Sequence, residues 1–196
     1  MTPEIVVRPP RSLEEARGVQ RVNARCWVEA YDHILPENVL PDPSPDAPAE
    51  ESLRGRLDYA NSLVDADTGR YALAVAPDKC EPTSGTETVE AEAVVGFAAV
   101  RWGDEAKTFV GDDDAGLWLL YVDPSRWGEG IGTALLDAVI AEVPERHDRL
   151  VLETFAENTA ARGFYQASGF EVVEKIETEV GDETYPAVVM ARTLDS

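Results

Sequence analysis

An unbroken apolar, β-rich run, Leu117-Trp118-Leu119-Leu120-Tyr121-Val122, passes through a turn with two glycines directly into a helix-patterned stretch that begins near Ile131 and carries a third. The run reads as a buried strand. The turn that follows, Asp123-Pro124-Ser125-Arg126-Trp127-Gly128-Glu129-Gly130, and Gly132 just beyond it place glycine where the backbone must approach something closely. Glycines leave N–H groups uncovered, and the N-terminus of the next helix contributes about half a positive charge. A pyrophosphate can be held on such a segment without any lysine. Two familiar phosphate loops fail here at specific positions. A P-loop requires Gly-Lys-Ser/Thr after the turn, which is absent, and the dinucleotide fingerprint G-x-G-x-x-G breaks at Leu135, three residues after Gly132.

The surrounding pattern supplies a sheet and its helices. Residues 4–8 read as a first strand closed by Pro9-Pro10, and Ser12 then caps a helix whose apolar positions Leu13, Ala16, Val19 and Val22 carry it to Tyr31. The Pro-rich stretch 41–48 breaks that helix, and helical spacing resumes over 50–63. Residues 71–76 and 93–102 are short strands expected to pair antiparallel, with 77–92 as a long exposed hairpin loop. A second acidic loop, 103–116, holds Asp112, Asp113 and Asp114 in a row; the calcium-loop spacing and its closing Glu are missing, so a solvated acidic turn is expected. Strand 117–122, helix 131–142, strand 150–155, helix 159–167 and strands 170–176 and 187–191 complete the order. A mixed sheet with helices on its faces follows, and 196 residues suit one core, hence a single domain over 1–196.

Charge excludes several function classes. Seventeen Lys plus Arg stand against 38 Asp plus Glu, a formal net charge of -21, while the apolar fraction remains 44%, as in a folded protein. Lysine occurs only at Lys79, Lys107 and Lys175. This acid coat, poor in lysine, is similar to the proteome style of extreme halophiles. No basic stripe is present to hold nucleic acid. No apolar stretch approaches about 18 residues, and the N-terminus lacks the apolar core of a signal peptide, so no membrane partner and a cytoplasmic location are expected. Cys26 and Cys80 have no CxxC or His pair beside them and read as free thiols, with no metal site.

The glycine turn resembles the acyl-CoA loop of GNAT N-acetyltransferases, Q/R-x-x-G-x-G/A, with its glycines at Gly130 and Gly132. It departs from that pattern at Trp127, in the slot of the Gln or Arg, and at Glu129, where a basic residue often flanks the pyrophosphate. A second stretch, Asn158-Thr159-Ala160-Ala161-Arg162-Gly163-Phe164-Tyr165-Gln166-Ala167-Ser168-Gly169-Phe170, resembles the family's N-x-x-A-x-x-F/L-Y-x-x-x-G-F. More weakly, Cys26-Trp27-Val28-Glu29-Ala30-Tyr31 is similar to the first helix of many members.

The resemblance implies an α/β (α+β) GNAT fold, with a mixed, mostly antiparallel twisted sheet of about seven strands flanked by about four helices. It implies transfer of an acetyl group from acetyl-CoA to a primary amine by direct attack in a ternary complex, without a metal. A non-catalytic acyl-CoA sensor or an interaction module of the same fold remains the alternative. Implied coenzyme contacts are Gly128, Glu129, Gly130, Ile131, Gly132 and Thr133 at the pyrophosphate, Leu120, Tyr121 and Val122 along pantetheine, and Asn158. A backbone N–H near Leu120 would polarise the carbonyl. Tyr165 would protonate the leaving thiolate, although an aromatic core residue is the plain alternative; Asn158 is also explained by helix capping alone. Glu153, five residues before Asn158 as in the ribosomal-protein alanine N-acetyltransferases, would be the base or else a merely solvated or paired strand carboxylate. Glu29, Asp32 and His33 are weaker candidates for the same role. The amine acceptor is left open, and a homodimer is allowed.

Self-repulsion at this charge density destabilises the compact state until salt screens it, over about 3 Å at 1 M. The melting temperature is therefore expected to rise clearly between low and molar salt; a thermal melt that barely shifts would remove the halophilic reading.

Overall fold

The computed structural model describes residues 3–42, 49–77 and 92–194. Its strands are β1 (Glu4–Val6), β2 (Gly69–Pro77), β3 (Glu92–Arg101), β4 (Asp114–Val122), β5 (Arg149–Phe155), β6 (Glu171–Val180) and β7 (Glu183–Thr193). Its helices are α1 (Leu13–Tyr31), α2 (Glu50–Asp65), α3 (Ile131–Ile140) and α4 (Thr159–Ala167). The strands form one seven-stranded sheet in the order β1-β2-β3-β4-β5-β7-β6. Every pairing is antiparallel except β4 with β5, which is parallel. That pair needs a crossover, and α3 supplies it. The mixed sheet flanked by four helices is the fold that the family resemblance implies.

Local chemistry explains the helix starts. Ser12 Oγ accepts the Glu15 N–H at 3.1 Å, and Glu15 in turn accepts the Arg11 N–H and two bonds from the Arg8 guanidinium. The Asn158 side chain accepts the Ala161 N–H at 3.0 Å and caps α4. Helices cover both faces of the sheet. On one, α1 buries Val22 and Cys26 against Leu73, Val94 and Phe97, while α2 adds Ala60 and Leu63 against Tyr71 and Ala99. On the other, Leu135, Leu136 and Val139 of α3 pack on Ala74, Ala98, Val100 and Leu152, with Phe164 and Tyr165 of α4 alongside.

Strand β4 carries the decisive irregularity. Ala99 pairs with Leu119 and Val100 with Leu117, so Trp118 has no partner on β3. The bulge also resets the side-chain alternation: Trp118 and Leu119 both face α2, whereas Leu117, Leu120 and Val122 face α3. Bulges bend the strand that carries them. Pairing of β4 with β5 ends after Asp114–Arg149, Ala115–Leu150 and Gly116–Val151, and beyond these pairs the two strands diverge.

Several expected boundaries shift. Strand β4 begins three residues early because Asp114 is not a solvated turn residue: it is 4% exposed and accepts two bonds from Arg149, at 2.9 and 2.7 Å. Helix α3 stops at Ile140 rather than 142. Strands β6 and β7 run longer than expected and meet at a turn where Gly181 has φ +63°. The expected loop over 77–92 lies almost wholly outside the described residues, as does Cys80.

Gly96 on β3 shows how tightly α3 sits. An added Cβ would come within 3.0 Å of Leu135 Cδ1 and 3.1 Å of the Tyr121 carbonyl oxygen. Gly96→Val is expected to cost about 1–3 kcal/mol by overpacking. At Gly55 on α2 an added Cβ meets nothing within 4 Å, so Gly55→Ala is expected to stabilise by about 0.5–1 kcal/mol. Thermal melts of both variants in one buffer check the pair of signs.

Candidate active site

Where β4 and β5 part, a cleft of about 620 Å³ opens between them. Its β4 wall is a free strand edge. The Asp123 N–H donates to the Val95 carbonyl of β3 at 2.8 Å, while the Val122 carbonyl points the other way, accepting Cys26 Sγ at 2.9 Å and Trp127 Nε1 at 2.7 Å. Strand alternation puts the N–H and C=O of Leu120 on the same free side as Val122.

The glycine turn forms one end of the cleft. Asp123, 7% exposed, accepts both the N–H and the hydroxyl of Ser125, at 3.0 and 2.7 Å, and takes Arg25 Nη1 of α1 at 2.7 Å. This clamps the turn to α1. Gly128 and Gly130 then adopt φ +82° and +79°, a left-handed conformation that costs other residues about 1–2 kcal/mol. No side chain caps α3, and no described protein group accepts the N–H groups of Ile131, Gly132 or Thr133. A Cβ at Gly128 or Gly130 would meet nothing within 4 Å, so the cradle is open space bounded by backbone donors. Gly132 differs: it lies in the helix, and its missing Cβ faces the Phe164 ring of α4 at 3.4 Å.

The two positions that depart from the family loop acquire structural roles. Trp127, 48% exposed, closes the end of the β4 edge through its bond to Val122. Glu129 pairs with Arg126, whose Nε donates at 2.8 Å and whose Nη2 lies at 2.6 Å; Arg126 lines the cleft and is itself only 11% exposed. The i,i+3 spacing of Arg126 and Glu129 is the one sequence signal for this pair.

Tyr165, Asn158, Glu153, Leu120, Tyr121 and Val122 all line this same cleft, as do the glycines and Ile131 and Thr133 of the cradle. Glu129 is not among its lining residues. Burial pushes the Tyr165 hydroxyl well above the usual tyrosine range, and nearby Tyr31 adds to the effect. Tyr121 is driven up likewise by burial, and its hydroxyl accepts Trp27 Nε1 at 3.1 Å. The Tyr31 hydroxyl, also raised by burial, interacts with Tyr121 and Asn158. Tyr31 joins a chain of edge-to-face rings from Trp27 through Tyr31 and Phe155 to Tyr185, with centroids 5.2, 5.1 and 6.0 Å apart.

Glu153 is 11% exposed and bonds Lys107 Nζ at 2.5 Å. Glu29 and His33 reach the cleft wall, whereas Asp32 does not line it; His33 is exposed and 3.3 Å from Asp32. Trp118, brought in by the bulge, carries the Arg101 guanidinium over its face at 3.6 Å. No periodicity announces that residue as a wall of the site.

A model of the acetyltransferase (GNAT) family matches residues 37–170, which include the cradle, Glu153, Asn158 and Tyr165. The chain belongs to this family. It is similar to the peptidyl-lysine N-acetyltransferase YiaC of Escherichia coli (strain K12), 40% identical over 55 residues that make up 28% of this chain and 35% of that one. The chain thus spans about a third of the length of that curated relative. Among solved structures, PaiA N-acetyltransferase from Thermoplasma acidophilum, in complex with coenzyme A, aligns over 97% of this chain and 99% of its own with TM-score 0.62 and 19% identity. The ribosomal-protein-S18-alanine N-acetyltransferase from Escherichia coli aligns over 98% and 96% with TM-score 0.55 and 18% identity. At such identities the two structures share the GNAT fold with this chain.

Cys26 lies on the cleft wall but is kept inert. Burial, then Asp123, pushes its thiol up to about 12. At about pH 8, near the ordinary thiol value, native protein is expected to leave Cys26 unalkylated by iodoacetamide while denatured chain reacts fully. Peptide mass mapping reads the difference, and equal rates would show that the thiol reaches solvent.

Proposed function

We propose that this chain is an acetyl-CoA-dependent N-acetyltransferase acting on a primary amine by direct attack in a ternary complex. The observation that carries this reading is the convergence, in one cleft, of an uncapped helix N-terminus, a free strand edge and a buried tyrosine. Backbone donors at Gly128 and at Gly130 to Thr133 suit a pyrophosphate, and Arg126 stands beside them as the one cleft-lining guanidinium among the described residues. The free edge at Leu120 and the Val122 N–H offer strand-like hydrogen bonds to the amides of pantetheine, with Tyr121 between them lining the cleft.

Each chemical step then has a residue. Glu153 accepts a proton from the acceptor ammonium. The N–H on the free side of β4 near Leu120 polarises the thioester carbonyl, in the manner of an oxyanion donor. Tyr165 delivers a proton to the departing thiolate, and its raised value keeps it protonated at neutral pH. Asn158 caps α4 and thereby sets where Tyr165 stands. Glu29 and Glu153, with Tyr31 and Trp118, give the acceptor end of the cleft carboxylates and aromatic faces, which favours a cationic amine. The excess of 38 Asp plus Glu over 17 Lys plus Arg argues against nucleic acid as the acceptor.

Calorimetric titration with acetyl-CoA in molar salt, followed by thiol release over an amine panel, tests the reading. Wild type is expected to bind and turn over. Tyr165→Phe and Glu153→Gln are each expected to lower kcat by about 10²–10⁴-fold while acetyl-CoA binding persists. Tight binding with no turnover on any amine would assign an acyl-CoA sensor instead; no binding would overturn the cradle.

A further inference from the structure

We propose that Lys107 is a self-acetylation site, an amine carried by the chain itself and held against Glu153. The inference rests on the acetyltransferase reading above. Basic side chains in this protein are overwhelmingly arginine, with three lysines in 196 residues, and only lysine offers an amine that can be deprotonated and acylated. One of the three stands with its Nζ 2.5 Å from Glu153 Oε2. A primary ammonium bonded to the candidate base is the arrangement an acceptor must reach.

Its placement is built, not incidental. Lys107 lies on the connection between β3 and β4, and that connection is anchored by Phe109, which packs on Val151, Val189 and Ala191 of β5 and β7. The Lys107 stem passes the Phe109 ring, Nζ being 5.7 Å from its centroid. A void of about 30 Å³ lined by Lys107, Phe109 and Arg101 shares Leu117, Trp118 and Glu153 with the large cleft. The amine is therefore one side-chain layer from the cleft, and at 50% exposure its side chain retains freedom to swing.

The reaction balances without a further reagent. Glu153 takes one proton from the Lys107 ammonium; Nζ then attacks the acetyl carbonyl of acetyl-CoA, forming the C–N bond. The C–S bond breaks with its electron pair on sulfur, which takes a proton from Tyr165. The second nitrogen proton restores Tyr165, and the first leaves Glu153 for solvent, giving acetyl-lysine, free coenzyme A thiol and one proton. Acetylation removes the positive charge and frees Glu153 from its ion pair.

The test is incubation of the full chain with acetyl-CoA in molar salt and no added amine, followed by peptide mass mapping. Lys107 is expected to gain one acetyl group about 10²-fold faster than Lys175, exposed on β6, at a rate independent of protein concentration. Tyr165→Phe should slow it by a similar factor. Lys107→Arg, which keeps the charge and offers no acylatable amine, should melt as wild type and remain unmodified at 107. Equal rates at Lys107 and Lys175, indifference to Tyr165→Phe, or a rate that scales with protein concentration would each overturn the proposal. If added amines turn over while Lys107 stays unmodified, this inference alone fails; if acetyl-CoA neither binds nor turns over, the acetyltransferase reading has failed first.

Discussion

Strand β4 must pair with β3 along its length yet leave β5 after Gly116, and the residue that reconciles these demands is Trp118, which has no partner on β3. Its extra length bends β4 away from β5. A strand edge left without a neighbour exposes N–H and C=O groups that would be costly inside a closed sheet. Here they face a cleft, and the last of them, the Val122 carbonyl, is satisfied by Cys26 and Trp127. The opening of the cleft and the phase of every side chain from Leu119 to Val122 follow from that one residue.

Electrostatics impose a second condition. A chain of net charge -21 repels any polyanion at long range, so a cradle for pyrophosphate must act at contact distance. Uncapped N–H groups do so, because the field of a helix terminus falls off within its first turn. Arg126 reaches the same region with its charge held by Glu129, and the Arg25–Asp123 pair fixes the turn to α1 without adding net charge. Molar salt screens the distant carboxylates over about 3 Å while sparing groups in direct contact. A strongly net-acidic chain and an anion-binding turn are compatible for that reason.

How much of this was legible in the sequence depended on whether the signal was local. The cradle was legible because glycine at positive φ and a helix start are written at Gly128 and Gly130 themselves. Tyr165 and Asn158 were legible by spacing along one helix. The full length of β6 is not legible because Glu171, Glu174, Lys175, Glu177 and Glu179 give an exposed edge strand little apolar pattern. The burial of Asp114 is not legible because its partner Arg149 is 35 residues away, and nothing near either residue signals the pair. Lys107 beside Glu153 and Arg101 over Trp118 were illegible for the same reason: each joins elements whose neighbourhood is created by the bulge and the crossover.

The end of the cleft beside Tyr31 is held differently from the end formed by the glycine turn. No ladder joins β4 to β5 there, and the span is carried instead by the ring chain Trp27, Tyr31, Phe155 and Tyr185, which ties α1 to β5 and β7. Such contacts contribute about 0.5–1.5 kcal/mol each beyond burial and depend on side chains alone. The glycine turn depends on backbone conformation and on Asp123, so a substitution among the rings alters the support of the Tyr31 end and leaves the turn in place. The two ends can thus vary independently. That separation is the physical reason the glycine-turn end of the cleft is written in the sequence while the Tyr31 end is not: one is specified by glycines and a helix start, the other by which rings happen to meet across an unpaired gap.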